Sequence, residues 1–321
     1  PENKKRFSGC AVPLCLERTV PMRSIAPRKG VLSALWIPLD SRGRLMKRAL
    51  AAHICWLKKC GVNGFLALGS TGEFPRMSLQ QREEVLAAVI ELAAPAPVIA
   101  NLSSIRLDEV VQLGKTARRL GAAGAAIMPP SFFPVPQADM LAFFLQAADR
   151  VDLPFYLYNF PELTSNRIGI ETVAAFADRA NMVGIKQSGG EFGYHPALIE
   201  LGREKDFSVF SGADTRLPEV FGLGAAGCIG GLVNFVPEYM VEIFRICHEG
   251  AAGDATIPGD RMKEVGRIVD QLTFPLNVAC GIAARGFNPG APKTVVSKES
   301  ARLARQIETE FRRYFKVQRL V

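Results

Sequence analysis

A lysine and a tyrosine, each closing an apolar run, are the residues best suited to covalent chemistry. Lys186 ends the run Asn181-Met182-Val183-Gly184-Ile185-Lys186. Tyr158 follows the preceding run, Leu153-Pro154-Phe155-Tyr156-Leu157, and is itself followed by Asn159. One strand–helix unit separates the two. In a parallel barrel that spacing brings neighbouring strand ends to one rim. There an amine can attack a ketone and lose water to give an imine. The protonated imine withdraws electrons, so a bond at the neighbouring carbon can form or break. The amine must first be neutral, and an apolar setting can bring a lysine from ~10.4 to roughly 7–8. The run before Lys186 supplies such a setting, and Tyr158 can carry protons or donate to the intermediate. Each residue alone has a plainer reading: a strand-end lysine that reaches for solvent or a carboxylate, a rim tyrosine with a satisfied hydroxyl. Their adjacency favours chemistry. Tyr156 shares the face by strand parity, sits deeper and reads as core.

The same rim is expected to carry Gly69-Ser70-Thr71-Gly72-Glu73, which follows an earlier apolar run. Its glycines allow close backbone approach, and its amides and hydroxyls form a concavity that suits an anion. The carboxylate of a 2-oxo acid fits there. Thr71 is the main carboxylate candidate, beside Gly69, and Ser70 can relay a proton with Tyr158. The alternative is a turn with a local Ser/Thr hydrogen bond, Glu73 only capping the next segment. Ser211-Gly212-Ala213-Asp214 closes a later run. Gly212 can present backbone groups there. Asp214 either accepts from a substrate hydroxyl or caps the following helix. Gly230-Gly231 again permits close approach, and Ser188-Gly189-Gly190-Glu191 shapes the mouth. His53, His195 and His248 are scattered, with no carboxylate at metal-ligand spacing, so neither a metal nor a cofactor is expected.

Holding these groups at one rim requires a repeating frame. From residue 31 onward a short apolar run, a Gly- or Pro-containing loop and an amphipathic stretch recur. Strands are expected at 31–37, 64–68, 97–100 and 125–128, then ending at 158 and 186, then at 207–210 and around 228–229. Helices are expected at about 45–60, from 78 with Ser78 and Gln81 as a capping box, at 107–120, after 136, after 214 and at 237–247. Eight units over roughly 31–250 predict a (β/α)8 TIM barrel. A doubly wound sheet is the competitor. Its nucleotide loop is lacking, because Gly222-x-Gly224-x-x-Gly227 precedes an apolar run instead of following one. The expected organisation is an N-terminal arm at 1–30, a catalytic barrel at 31–256 and a C-terminal helical extension at 257–321. That extension should hold helices near 261–272, 275–284 and 298–315, with Leu303, Ile307, Phe311 and Phe315 on one stripe. It is too small for a core of its own.

Composition narrows the class of protein. The 321 residues are 48% hydrophobic and 22% charged, ordinary for a globular enzyme. Basic residues gather at both ends, and the net charge is +8. No zinc-finger spacing or aromatic–basic stripe accompanies them, so nucleic acid is not an expected partner. The seven cysteines form no C-x-x-C pair and read as reduced thiols, many in core elements. Charges break the apolar runs short of a membrane span, and the first residues lead into no apolar leader. A cytoplasmic enzyme is the expectation.

The segments GSTGE at 69–73, LYNFP at 157–161, GIK at 184–186 and SGAD at 211–214 together resemble the dihydrodipicolinate synthase / N-acetylneuraminate lyase superfamily of class I, pyruvate-handling aldolases. Their order and separations fit over about residues 30–315. The resemblance implies a (β/α)8 barrel assembled as a homotetramer or dimer. It also implies an imine between Lys186 and pyruvate or another 2-oxo acid, Tyr158 as acid and base, and Ser70 and Thr71 as relay and carboxylate positions.

Within the superfamily, the synthases carry an arginine where this chain has Leu163. They also carry a tyrosine, reaching in from a neighbouring subunit, where this chain has Phe133. Sialic acid lyases carry a Glu and a Ser where Thr215 and Gly231 stand. GSTGEFP and IKQSGGEF are more similar to 4-hydroxy-2-oxoglutarate and 2-keto-3-deoxy acid aldolases. The expected activity is therefore cleavage or formation of a 4-hydroxy-2-oxo acid from pyruvate and an aldehyde. Phe132, Phe133, Phe160 and Leu163 would narrow the aldehyde side toward a short or partly apolar tail. The alternatives are dihydrodipicolinate synthase itself and a non-catalytic 2-oxo-acid-binding protein.

Overall fold

The computed structural model describes residues 25–320. Most of the expected N-terminal arm, with Cys10 and Cys15, lies outside the described residues. Eight parallel strands close into a barrel in chain order. They are β1 Gly30–Ala34, β2 Gly64–Ala67, β3 Val98–Asn101, β4 Gly124–Ile127, β5 Phe155–Asn159, β6 Met182–Gln187, β7 Ser208–Ser211 and β8 Gly227–Gly230. β8 pairs with both β7 and β1, so no strand edge stays open.

The strands read as unbroken apolar runs because both of their faces are buried. In β5, Phe155 and Leu157 pack outward under the helices. Tyr156 and Tyr158 fill the barrel interior with Leu32, Leu66, Ile99 and Phe210. Tyr156 also reaches the lead-in, where its hydroxyl donates to the Pro27 carbonyl at 2.6 Å. The outer helices follow their strands, among them Lys47–Lys59, Leu79–Ala93, Leu107–Leu120, Gln137–Arg150 and Pro237–Glu249. The Ser78–Gln81 capping box is present: Gln81 N–H donates to Ser78 Oγ, and Ser78 N–H donates to Gln81 Oε1.

Most boundaries fall within two residues of the expectation, and two elements differ by more. β1 stops at Ala34, not at 37, although Leu35, Trp36 and Ile37 remain buried. Asn234, after β8, takes over the pairing. Trp36 N–H donates to its Oδ1 at 3.0 Å, and its Nδ2 donates to the Ala34 carbonyl at 2.8 Å. The first helix of the C-terminal region is Thr256–Val269, which starts and ends earlier than 261–272. Its first turn buries Pro258 and Gly259, the latter against Pro218.

The C-terminal helices share the core of the barrel. On Lys298–Val317, Ile307, Phe311 and Phe315 are fully buried, and Leu303 packs beside them half-buried. Phe311 and Phe315 meet Phe235, which follows β8, with ring centroids 5.2 and 6.4 Å apart. Of the cysteines, Cys228 and Cys280 are buried, whereas Cys55 and Cys247 lie exposed on helices, so fewer sit in the core than composition implied. Among the described residues, no helix is long and apolar enough to cross a membrane.

Candidate active site

A local irregularity aims the lysine. Along β5 and β6, Phe155 faces Met182 but Tyr156 faces Gly184, so β6 spends one extra residue on that step. A bulge of this kind re-aims the side chains beyond it. Without it, side-chain alternation would turn Lys186 outward under the helices. With it, Lys186 stands opposite Tyr158, its Nζ 4.3 Å from the centroid of the tyrosine ring. Both are buried, at 4% and 1% exposure.

The β2 loop meets them from across the rim. Ser70 Oγ and the Tyr158 hydroxyl are 2.8 Å apart, and either can donate. Thr71 is buried beside Ser70. Two left-handed, non-glycine residues flank the turn, Leu68 with φ 60° and Glu73 with φ 62°. Each such residue costs about 1–2 kcal/mol and persists only where its surroundings hold it. Asn101 at the end of β3 holds the entry, its Nδ2 donating to the Leu68 carbonyl at 2.7 Å. Glu73 forms no side-chain cap. Its buried carboxylate instead accepts from Lys293 at 3.1 Å and pairs with Arg76.

Asp214 and the β7 and β8 loops complete the rim. Asp214 does not cap its own helix: its Oδ2 accepts from Leu232 N–H, beyond β8, at 2.8 Å. Its Oδ1 is buried without a partner. Burial pushes the carboxyl up to about 6, against the pull of the Leu232 amide and the Lys186 charge. Gly230 leaves room for this carboxylate, since a Cβ there would lie 2.4 Å from Oδ1. Gly212 likewise has no room for a side chain, because Ser188 Oγ and Lys186 Cε fill the space.

A cavity of about 500 Å³ opens beside this rim, its wall including Ser70, Met128, Ser131, Leu163 and Thr164. Leu163 is 46% exposed there. Phe160 packs half-buried against the Tyr158 ring, with centroids 6.3 Å apart. Phe133 is 67% exposed and stands edge-on to the exposed Phe132 ring, 4.9 Å away. The loop after β6 is tied down by Glu162, whose Oε1 accepts from Gly190 N–H at 2.6 Å. Among the described residues, no three His, Cys, Asp or Glu side chains gather as a metal-holding group.

The structure thus brings Lys186, Tyr158, Ser70, Thr71, Gly212, Asp214 and Gly230 to one rim. Phe133 stays apart from them, out on the surface. Sequence reasoning missed Asn101, Asn234 and Lys293. The two asparagines each lie just beyond an apolar run, a weak but readable signal for a hydrogen-bonding role. Lys293 lies 220 residues from its partner Glu73, and nothing local marks it.

A buried amine against a phenol at the C-terminal rim of a parallel barrel defines the class I type of carbon–carbon lyase, which works through a Schiff base. Residues 27–309 match the dihydrodipicolinate synthetase family, and the chain belongs to it as a pyruvate-dependent enzyme of that class. A 4-hydroxy-tetrahydrodipicolinate synthase of Natronomonas pharaonis is 32% identical over 77% of this chain and 83% of its own length. YagE, a prophage protein of E. coli K12 solved in complex with pyruvate, superposes with a TM-score of 0.81 at 27% identity, over 89% of this chain and 98% of that one. Dihydrodipicolinate synthase from Aquifex aeolicus gives 0.81 at 26% identity, over 91% and 98%. These similarities favour the synthase alternative over the cleavage reading expected from the motifs.

Proposed function

We propose that Lys186 captures pyruvate as an imine and that the resulting enamine adds to an aldehyde. The observation that carries this reading is the buried chain Lys186–Tyr158–Ser70, joined by a 4.3 Å amine–ring contact and a 2.8 Å hydroxyl pair. Neutral Lys186 attacks C2 of the oxo acid, and the carbinolamine loses its hydroxyl as water. Tyr158 supplies and recovers the protons, with Ser70 passing them along. Thr71 holds the carboxylate. Loss of a C3 proton gives the enamine, whose C3 forms the new bond to the aldehyde carbon, while Tyr158 protonates the aldehyde oxygen. Water then attacks C2 and frees the lysine.

The relatives' names favour the condensing direction, with an aldehyde that itself bears a carboxylate, as in 4-hydroxy-tetrahydrodipicolinate synthases. This reading leads. The second, cleavage of a 4-hydroxy-2-oxo acid with a short or apolar tail, is favoured by Leu163, which puts an alkyl group in the cavity wall. Assays of both directions separate them: condensation of pyruvate with the aspartate-derived semialdehyde, against pyruvate release from a panel of 4-hydroxy-2-oxo acids. Turnover with the semialdehyde above every panel member supports the synthase. The reverse order supports the aldolase, and sialic acid turning over best would contradict the short-tail argument.

Assembly as a homodimer or tetramer belongs to the same reading, and the exposed, edge-on Phe132–Phe133 pair offers apolar surface for such a contact. Free thiols at every described cysteine support a cytoplasmic setting.

A further inference from the structure

We infer that Lys293, in the C-terminal region, is a positioning residue for the loop that receives the oxo-acid carboxylate. This inference rests on the Schiff-base reading above. Glu73 links the two. It closes the Gly69–Gly72 turn in a left-handed conformation, and its N–H donates to the Ser70 carbonyl at 3.0 Å. A shift of Glu73 therefore moves Ser70, and through it the contact with Tyr158.

Lys293 holds Glu73 from the far end of the chain. The two side chains are 3% and 7% exposed, with Nζ and Oε1 3.1 Å apart. Nζ also lies over the Trp36 ring, 4.1 Å from its centroid. The backbone around Lys293 is pinned in turn. Trp36 Nε1–H donates to the Pro289 carbonyl at 2.7 Å, and Ala291 N–H donates to the Leu39 carbonyl at 2.7 Å. Leu39 also bridges Gly290 in parallel fashion. The segment thus forms a strap from the C-terminal helices across the end of β1 to the β2 loop. Glu73, Arg76, Phe274 and Pro275 stand in the wall between the cavity at the rim and a second one, of about 450 Å³, beneath the strap.

An ion pair this buried is a poor source of stability, because desolvation offsets its attraction. Its geometric effect is larger: it fixes a strained turn whose Thr71 and Ser70 face the substrate. Asn101 fixes the entry of the turn and Lys293 its exit. Loss of Lys293 leaves the buried Glu73 carboxyl with half-exposed Arg76 as its one remaining side-chain partner among the described residues, so the turn must relax to reach water.

The test is the pyruvate concentration that half-saturates borohydride-trapped adduct, measured with kcat and melting temperature on the wild type, K293M and E73Q/K293M. The strap predicts that K293M raises half-saturation about tenfold, through the displaced carboxylate site, and lowers kcat by no more than the roughly tenfold expected of S70A, since Ser70 shifts with the turn. E73Q/K293M, which removes both charges, should recover part of that loss. If K293M does not fold, the doubly substituted protein carries the comparison against wild type, and the strap still predicts weaker pyruvate capture. Half-saturation within twofold of wild type, with only the melting temperature lowered, overturns the inference and leaves a structural strut. A wild type that traps no oxo acid overturns the Schiff-base reading and the strap with it.

Discussion

The Tyr158 hydroxyl has Ser70 as its hydrogen-bond partner, and that pairing sets what each substitution should do. Y158F keeps the ring against Lys186 and removes the proton carrier. We expect kcat to fall by ~10²–10⁴, the usual span for a general acid–base group, with the imine still trappable. S70A leaves the phenol in place without its relay, so a smaller fall, roughly tenfold, is expected in the same assay. A Y158F enzyme that keeps full kcat would remove Tyr158 from the proton path. At this scale much was legible in advance. Lys186, Tyr158 and Ser70 were readable because a polar residue at the end of an apolar run is costly unless it serves a purpose. The dual possibility for Asp214 was not resolvable, since its bond to Leu232 N–H joins two loops that only the closed barrel brings together.

Among the elements, β6 matters most. Its extra residue places Gly184 against the Tyr156 ring and Lys186 against Tyr158. A Cβ at 184 would meet Tyr156 at 2.8 Å and the Ser208 carbonyl at 2.9 Å. G184A should therefore destabilise the fold by about 1–3 kcal/mol, as overpacking does, and weaken capture of pyruvate by moving Lys186. Chemical denaturation and adduct trapping check this together; an unchanged midpoint contradicts the packing described. The order and type of the elements could be read from sequence because burial on both faces of a strand and one face of a helix leaves different periods. The bulge could not be read, since Val183 is as apolar as its neighbours. The end of β1 was misplaced for a related reason: residues 35–37 are as apolar as a strand, and only Asn234, about 200 residues away, ends the pairing.

Across the whole molecule, two buried titrating groups oppose each other. Burial lowers His53 to about 4 from an ordinary 6.5, despite its bond to the Asn234 carbonyl. The unfolded chain thus binds more protons there, and stability from His53 is lost as pH falls from about 6.5 to 4. Burial raises Asp214 to about 6 from 3.8, so the folded chain binds more protons there. Acidification through nearly the same window therefore favours folding at Asp214. Each contribution is at most roughly 3 kcal/mol, and they largely offset. D214N removes one of them. Its melting temperature should exceed wild type near neutral pH and fall more steeply between pH 6 and 4. Parallel curves for the two proteins would contradict the burial of an ionisable Asp214.

All of this chemistry requires one particular amine to become joined to a keto carbon. Peptide mass spectrometry after borohydride reduction in the presence of pyruvate reads that bond. A reduced pyruvate adduct is expected on the peptide containing Lys186, and it should be absent in K186A. An adduct confined to Lys293, whose side chain is also deeply buried, would contradict the assignment to Lys186, and no adduct with any 2-oxo acid would contradict the Schiff-base mechanism.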